Sequence, residues 1–525
     1  MSFLSRHIKD VLTGGLPVLW GKTRALPDWI WKSPFVQILV CYYYRSIVFF
    51  RPGDAEAYFL LAKSLHRLNC IDEAIAKLEK AVSLRPDLSL AHVLLSELLI
   101  ANNRFDEAYA AWEKVFHLEP DWTEVHSRIQ NAFYYCGQTW AARNIMQKGL
   151  DDRNNFARNH QLDRLGIRIL TEFPSAIGHI AVLDSYVKMD MLGWRSPDQP
   201  VLLVNPRLSN PCYLDYWRQY LPTIITDPEA IKLISPVARY LEDRIFTVMD
   251  SSCQQAVGED YIGAALQSLI QERWETENRS PLLVLRDSDD ERGRQRLEQL
   301  GVPVDSWFIS LHVREGKTVS RGARDADITA YYKAIESVTT RGGWVIRMGD
   351  PSMTPLPSIP KVIDYAHSQL RVDWMDIFLW ARCRFFIGTQ SGPAWVPPTF
   401  GVPCVATNWT FLCRRWFGQD LFIPKLLWSE KENRYLTFAE SLTSSVGVAE
   451  SLDYFNSQGI RITDNTPEEI NDVVIEMMDR LDGKLFYDDN DIQLQERFDR
   501  MWIQNSYKAT GRIGRDFLKK WHHLL

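Results

Sequence analysis

Two doubly wound α/β units in tandem, behind an all-α helical repeat, are expected from three observations. The first third of the chain carries a 34-residue period. Beyond it, short and almost fully apolar runs alternate with helical patterns, as buried parallel strands and their crossovers do. The most apolar stretch, 35–50, holds Gln37 and Arg45 and is too short to span a bilayer. A length of 525 residues allows two to four domains. Hydrophobic residues at 46% and charged residues at 24% exclude wholesale disorder. A formal charge of −6 argues against a nucleic-acid-binding surface.

Pro52, Pro86 and Pro120 stand 34 residues apart, each with an Asp one or two places on: Asp54, Asp87 and Asp121. The same step links Ala57 with Ala91, Leu84 with Leu118, and Ala74 with Ala108 and Ala142. Small residues where helices cross, with Pro at the turn, resemble the tetratricopeptide repeat. One period back, Cys41-Tyr42-Tyr43-Tyr44 reads as the second helix of a capping half-repeat. The sharper reading of 17–50 is a membrane-surface element anchored by Trp20, Trp29 and Trp31. Such repeats hold partners, or a second copy, and catalyse nothing alone.

The first α/β unit is expected over 161–303, with strands at Ile167–Leu170, Val201–Val204, Thr223–Ile225 and Pro281–Leu285. The second spans 304–485, with strands at Trp307–Leu311, Trp344–Arg347, Arg384–Ile387 and Cys404–Ala406 and helices at Ala326–Thr340 and Trp374–Ala381. A long helix from Gln493 to Leu525 is expected to pack back across both units (486–525), leaving 1–160 to the repeats. On that helix Lys508, Arg512, Arg515 and Lys519 form a basic stripe, and Ile513, Phe517, Trp521 and Leu524 an apolar one. The apolar stripe reads as core-facing; contact with anionic lipid is the alternative.

Ligands of open parallel sheets sit off the strands' carboxyl ends, so those loops hold the candidate chemistry. His312 and Arg314, two apart at a strand end, project to one side, with Glu315 beside them. A guanidinium fork matches phosphate oxygens, and an imidazole can serve a nucleobase or a leaving oxygen. Arg347 and Asp350 occupy the next such loop. Gly388-Thr389-Gln390-Ser391 offers backbone N–H groups and hydroxyls, an anion site without lysine. On the acceptor side, Gly178 permits close approach, Asn205 follows a strand, and His179 is either a base, an acceptor ligand or a satisfied structural residue. No P-loop, G-x-G-x-x-G or H-E-x-x-H motif occurs, and the histidines do not cluster. Asp287–Asp290 reads as a solvated helix N-terminus rather than a metal site. Eight cysteines without a C-x-x-C pair, and no signal-peptide pattern, point to the cytoplasm.

Seven segments carry a resemblance: Trp307–Glu315 with Arg324–Ile328; Arg341–Pro351 with Val362–Ala366; Phe385–Thr389 with Phe400–Pro403; and Asp464–Glu469. Together they resemble a bacterial glycosyltransferase family, associated with surface polysaccharide and carrying tetratricopeptide repeats in front. His312-x-Arg314 and Gly388–Ser391 are more distantly similar to the donor motifs of GDP-fucose-dependent transferases. The resemblance implies a GT-B-like pair of Rossmann-like domains and inverting transfer from a nucleotide sugar, GDP-linked, to a glycan, lipid-linked or protein acceptor. It also implies Arg314 on the diphosphate, His312 on the base, Thr389, Gln390 and Ser391 on phosphate oxygens, and Asp373 or Asp376 at the base edge. Glu315 departs from the eukaryotic pattern. Arg314 would replace a metal, so no metal and no cofactor are expected; Glu315, His179 and Asp325 are the candidate bases. Any membrane contact would be peripheral, at the inner face. The competing expectations are a non-catalytic repeat scaffold with a degenerate nucleotide-binding body, and a sugar-nucleotide epimerase.

Overall fold

The computed structural model describes residues 34–171, 176–194, 198–204, 208–241, 262–316, 322–410, 418–443, 446, 449, 451–504 and 511–525. The chain divides into two compact units, 1–133 and 134–525.

In the first unit, α1 (Pro34–Phe50) precedes α2 (Ala55–Arg67), α3 (Ile71–Leu84), α4 (Ser89–Ala101), α5 (Phe105–Leu118) and α6, which runs Thr123–Tyr135. The starts of α2, α4 and α6 are 34 apart, and so are those of α3 and α5. Ala57, Ala74, Ala91 and Ala108 are buried, so each small residue marks a helix crossing. Asp54 caps α2 by accepting from Ala57 N at 3.0 Å, which supplies one of the helix's orphan donors with a partner. His92 and His126, again 34 apart, each set ring Nε2 2.9 Å from a turn carbonyl, Pro86 and Glu119. Asn69, Asn103 and Gly137 share the same step and a positive φ of 60°, 59° and 70°. Residues that tolerate the left-handed region therefore recur wherever the first helix of a pair turns into the second. In α1, Cys41 and Tyr44 are buried, and Arg45 pairs with Glu73 of α3 at 2.7 Å. Its inner face thus packs as the repeat does. Trp20, Trp29 and Trp31 lie outside the described residues.

The second unit opens with α7 (Thr139–Asn159) and holds two parallel sheets. β1 (Ile167–Leu170), β2 (Gln199–Leu203) and β3 (Thr223–Ile225) pair in that order. Around them lie α8 (Ile177–Ala181), α9 (Leu183–Met191), α10 (Pro211–Trp217), α11 (Pro228–Leu241) and α12 (Ile262–Thr276). The expected strand at Pro281–Leu285 does not form. Leu282 and Leu283 are buried and Val284 is exposed, and a bond from Leu283 N to the Thr399 carbonyl replaces a ladder. The apolar run is an anchor between the two sheets' layers. Next, α13 (Asp287–Gln299) begins where the acidic run predicts.

The larger sheet contains β4 (Phe308–His312), β5 (Trp344–Arg347), β6 (Val362–Asp364), β7 (Phe386–Gly388), β8 (Cys404–Trp409), β9 (Leu421–Pro424) and, after a gap in sequence, β13 (Arg512–Ile513). Its order is β13-β9-β8-β7-β4-β5-β6. Winding therefore reverses between β4 and β7, which is where open sheets leave a crevice for ligands. α14 (Tyr332–Thr340) and α15 (Asp373–Arg382) are crossovers, the first entered by a short turn at Ile328–Tyr331. A side ribbon pairs β10 (Leu426–Ser429) with β11 (Arg434–Tyr435) and β12 (Ile460–Thr463), antiparallel. α16 (Phe438–Thr443), α17 (Leu452–Ser457), α18 (Pro467–Leu481), α19 (Asp489–Gln504) and α20 (Arg515–Lys520) complete the described helices.

The single long C-terminal helix is corrected by this topology. Arg512 and Ile513 pair in parallel with Leu421 and Phe422. Gly514 follows where a Cβ would stand 2.9 Å from the Ile423 side chain. An open sheet edge needs backbone partners that a helix cannot offer. Ile513, Phe517 and Leu524 are buried, so the apolar stripe is core. Arg515 pairs with Asp516 and Lys519 with Asp491, while Arg512 lies over the Tyr487 ring. Lys508 lies outside the described residues.

One apolar cluster runs unbroken from Leu170, Tyr213 and Trp217 beside the small sheet to Ile309, Ile346, Phe386 and Val405 in the large one. The two layers approach backbone to backbone at Gly178 in α8 against Gly392, where a Cβ on Gly178 would sit 2.8 Å from Gly392 Cα. Helix propensity alone would favour Gly178→Ala by about 1 kcal/mol. The contact reverses that sign: we expect a loss of about 1–3 kcal/mol in urea unfolding. A neutral or stabilised variant would mean that the two backbones are not in contact.

Candidate functional site

β4 is buried along its whole length and delivers His312 as its last residue. In the parallel register His312 lies opposite Gly388, so the two motifs meet at the strands' carboxyl ends although 76 positions separate them in sequence. Thr389 N donates to the His312 carbonyl at 3.2 Å. Thr389 Oγ1 accepts from Arg314 N at 2.9 Å. A side chain at Gly388 would run into the Phe386 ring at 2.3 Å, so only glycine allows this approach.

Ser391 Oγ is 3.1 Å from His312 Nδ1 and donates to the Thr389 carbonyl at 3.1 Å. A hydroxyl has one proton: given to Thr389 it leaves Nδ1 the donor and Nε2 the acceptor, and given to Nδ1 it leaves Nε2 the donor. Burial, then the nearby Arg347 and Arg314 charges, push the imidazole down to about 4. His312 is neutral at pH 7. Gln390 is buried; its amide oxygen accepts from Thr410 N at 3.2 Å and from the Thr410 hydroxyl. Its Nε2 is a buried donor without a partner, an expensive arrangement unless a ligand completes it.

Arg314 donates from Nε to Asp325 Oδ1 at 3.0 Å, and its side chain is 36% exposed. Among the described residues nothing pairs with either Nη. The fork is therefore aimed but open, the posture an anion receptor needs. Asp325 is buried, and Oδ2 accepts from Gly322 N at 2.7 Å; both carboxylate oxygens are engaged. The structure places Glu315 differently from an open base as well. Its Oε2 accepts from Thr354 N at 2.6 Å and stands 4.0 Å from Arg347.

Arg347 is fully buried. It donates to Asp364 Oδ1 at 3.0 Å and to the Thr354 carbonyl at 3.1 Å, which turns its guanidinium into the framework. Asp350 Oδ1 accepts from Ser352 N at 2.9 Å, in the loop after β5. Asp373 and Asp376 open α15. Asn210, the cap of α10, donates Nδ2 to the Asp373 carbonyl at 3.1 Å. Burial first, with Asp373 adding to it against the opposing Arg371, raises Asp376 to about 7.

On the acceptor side, His179 is exposed and Gly178 spends its open face on Gly392; Asn205 lies outside the described residues. At the start of α13, Asp290 pairs with Arg294 and Arg382, and Asp289 accepts from Tyr216. Among the described residues no group of three His, Cys, Asp or Glu could hold a metal ion. None of their helices is long and apolar enough to cross a membrane.

One residue absent from the sequence expectations belongs here. Lys425 is buried immediately after β9. It donates to the Asp325 carbonyl at 2.7 Å and pairs with Asp464 at 2.8 Å. The signal was present: Leu421–Pro424 is another short apolar run, and Lys425 is the polar residue at its carboxyl end.

Residues 70–130 match the family model of the tetratricopeptide repeat, and this segment is a tetratricopeptide-repeat array. No curated protein matches the chain. Among solved structures, a glycosyl transferase family 9 protein from Veillonella parvula is similar over 49% of this chain and 85% of its own, at 10% identity and a TM-score of 0.32. The bacterial dodecameric glycosyltransferase TibC from enterotoxigenic E. coli aligns over 48% and 61%, at 12% and 0.27. A mutant of the Thermobaculum terrenum O-GlcNAc transferase aligns over 88% and 93%, at 14% and 0.22. At such distances an activity does not pass from one protein to another.

The raised Asp376 makes a signed prediction. Its folded-state pKa lies above the unfolded value, so its contribution is complete below about pH 4 and is lost as pH rises through about 7. Between pH 5 and 7 this amounts to about 3 kcal/mol at most. Asp376→Asn should flatten that part of the urea-unfolding profile of the α/β unit. An unchanged slope would show that the carboxyl is ordinarily solvated.

Proposed function

We propose that the α/β unit is a glycosyltransferase whose donor is a nucleotide diphosphate sugar, bound where β4 meets β7 and handled without a metal. One observation carries the reading: His312, Arg314 and the Gly388–Ser391 loop converge through hydrogen-bonded register, with both Nη atoms of Arg314 open. The guanidinium fork suits a diphosphate, whose charge grows as the sugar leaves. Neutral His312 presents one donor and one acceptor nitrogen, and the tautomer with Nε2 as acceptor suits an N–H on a nucleobase edge. Gln390 Nε2 suits an uncompensated oxygen. The motif resemblance favours a GDP-linked sugar and inversion.

In the proposed reaction the anomeric carbon–oxygen bond breaks and its electron pair passes to the diphosphate, held by Arg314. The acceptor oxygen bonds to that carbon and gives its proton to a base. Asp325 and Glu315 are occupied by their own partners. His179 is the better-placed candidate: it is exposed, and its neighbour Gly178 abuts Gly392, next to Ser391. The acceptor is a glycan, a lipid-linked sugar or a protein, and the repeats recruit it or a second copy of the chain.

The test is thermal stability with GDP, UDP, CMP, ADP and GDP-fucose, with and without EDTA, on the wild type and Arg314→Ala. A ligand at about 100 times its Kd stabilises by roughly 2.7 kcal/mol. One nucleotide diphosphate should stabilise the wild type irrespective of EDTA and leave Arg314→Ala unmoved. No shift with any nucleotide would overturn the reading in favour of a repeat scaffold.

A further inference from the structure

We infer that Lys425 is a positioning residue for the Arg314 fork, acting through Asp325; the ligand part of this inference rests on the function proposed above. Its root is fixed, because Lys425 N donates to the Trp409 carbonyl at 2.9 Å and so extends the β8–β9 pairing. From there Nζ reaches the Asp325 carbonyl at 2.7 Å, 100 residues away in sequence. Asp325 in turn holds Arg314 Nε on Oδ1 and Gly322 N on Oδ2. Ala326 N donates back to the Arg314 carbonyl at 2.9 Å. Among the described residues, Asp325 N also donates to the Gly322 carbonyl at 3.1 Å, and Lys425 adds a tie from β9 to the segment that Arg314 N and Glu315 already join to Thr389 and Thr354.

The lysine is itself charge-balanced by Asp464, which is one-third exposed. A buried ammonium spent on a main-chain carbonyl is an expensive way to hold a loop, because it must shed its water. An uncharged side chain would suffice for packing. What the charge adds is a strong, directed bond on the peptide that carries Asp325.

Lys425→Met and Lys425→Gln test this, the second retaining a hydrogen-bond donor where the first leaves none. Amide hydrogen exchange of the full chain is read at Gly322, Asp325 and Ala326, with β5 as an internal reference, and inorganic pyrophosphate binding is followed by calorimetry. In Lys425→Met we expect exchange in 322–326 to quicken about tenfold, the loss of one charge-assisted bond, while β5 is unchanged; Lys425→Gln should fall between. Pyrophosphate affinity should drop by a similar factor, and the drop should vanish in an Arg314→Ala background, because a positioning residue has nothing left to position. Unchanged exchange in 322–326 would overturn the inference whatever the ligand does. So would equal quickening in β5, or an affinity loss that survives in Arg314→Ala. Quickened exchange with no pyrophosphate binding in the wild type would leave Lys425 in this role and remove the phosphate-binding reading instead.

Discussion

Everything at the candidate site follows from the register in which β4 pairs with β7. Placing His312 opposite Gly388 lets Thr389 bond to the end of one strand while its hydroxyl receives the amide of Arg314. A slip by one residue would turn every side chain to the other face of the sheet. A slip would also bring a residue with a side chain opposite His312, where a Cβ at position 388 would stand 3.2 Å from the His312 carbonyl. Strand pairing, rather than loop flexibility, sets where an anion would meet its receptor.

The charges at this edge are arranged in matched pairs: Arg314 with Asp325, Arg347 with Asp364, Lys425 with Asp464. Removing a partner from a buried pair is far more damaging than the pair's net worth, because a charge is stranded. Two of the three cations are enclosed, Arg347 with its Nε unpartnered, whereas the Arg314 side chain is 36% exposed. Local polarity and the capacity to bind are thus separable here. Counting basic residues at strand ends overstates the binding surface, as Arg347 demonstrates.

Strand-end reasoning singled out His312, Arg314 and the Gly388–Ser391 loop because apolar runs of four or five residues ended in polar ones, and the structure brings them together. The 34-residue period was equally legible, since Ala and Pro recur at positions that geometry restricts. The expectations failed where an apolar run had another use. Leu282 and Leu283 are buried as anchors without joining a ladder. Arg512 and Ile513 look helical by periodicity, yet they complete a sheet edge whose partner, Leu421, lies far away in sequence. Asp325 resembled a base because spacing shows which residues are near each other, not which hydrogen bonds they already make. Lys425 escaped for the same reason: its partner at 325 is 100 positions away.

The apolar cluster shared by the small and the large sheet has a mechanical meaning. Domains that open and shut about a hinge keep modest, polar interfaces, whereas a large apolar one resists relative motion. Here Tyr213, Trp217 and Leu283 are buried in the same mass as Phe308 and Phe386. The shared cluster favours the two sheets moving together, and a molecule reaching Arg314 would then have to find its space already formed or gain it by side-chain rotation. Such a protein would recognise its ligand with little conformational delay and little tolerance for bulk.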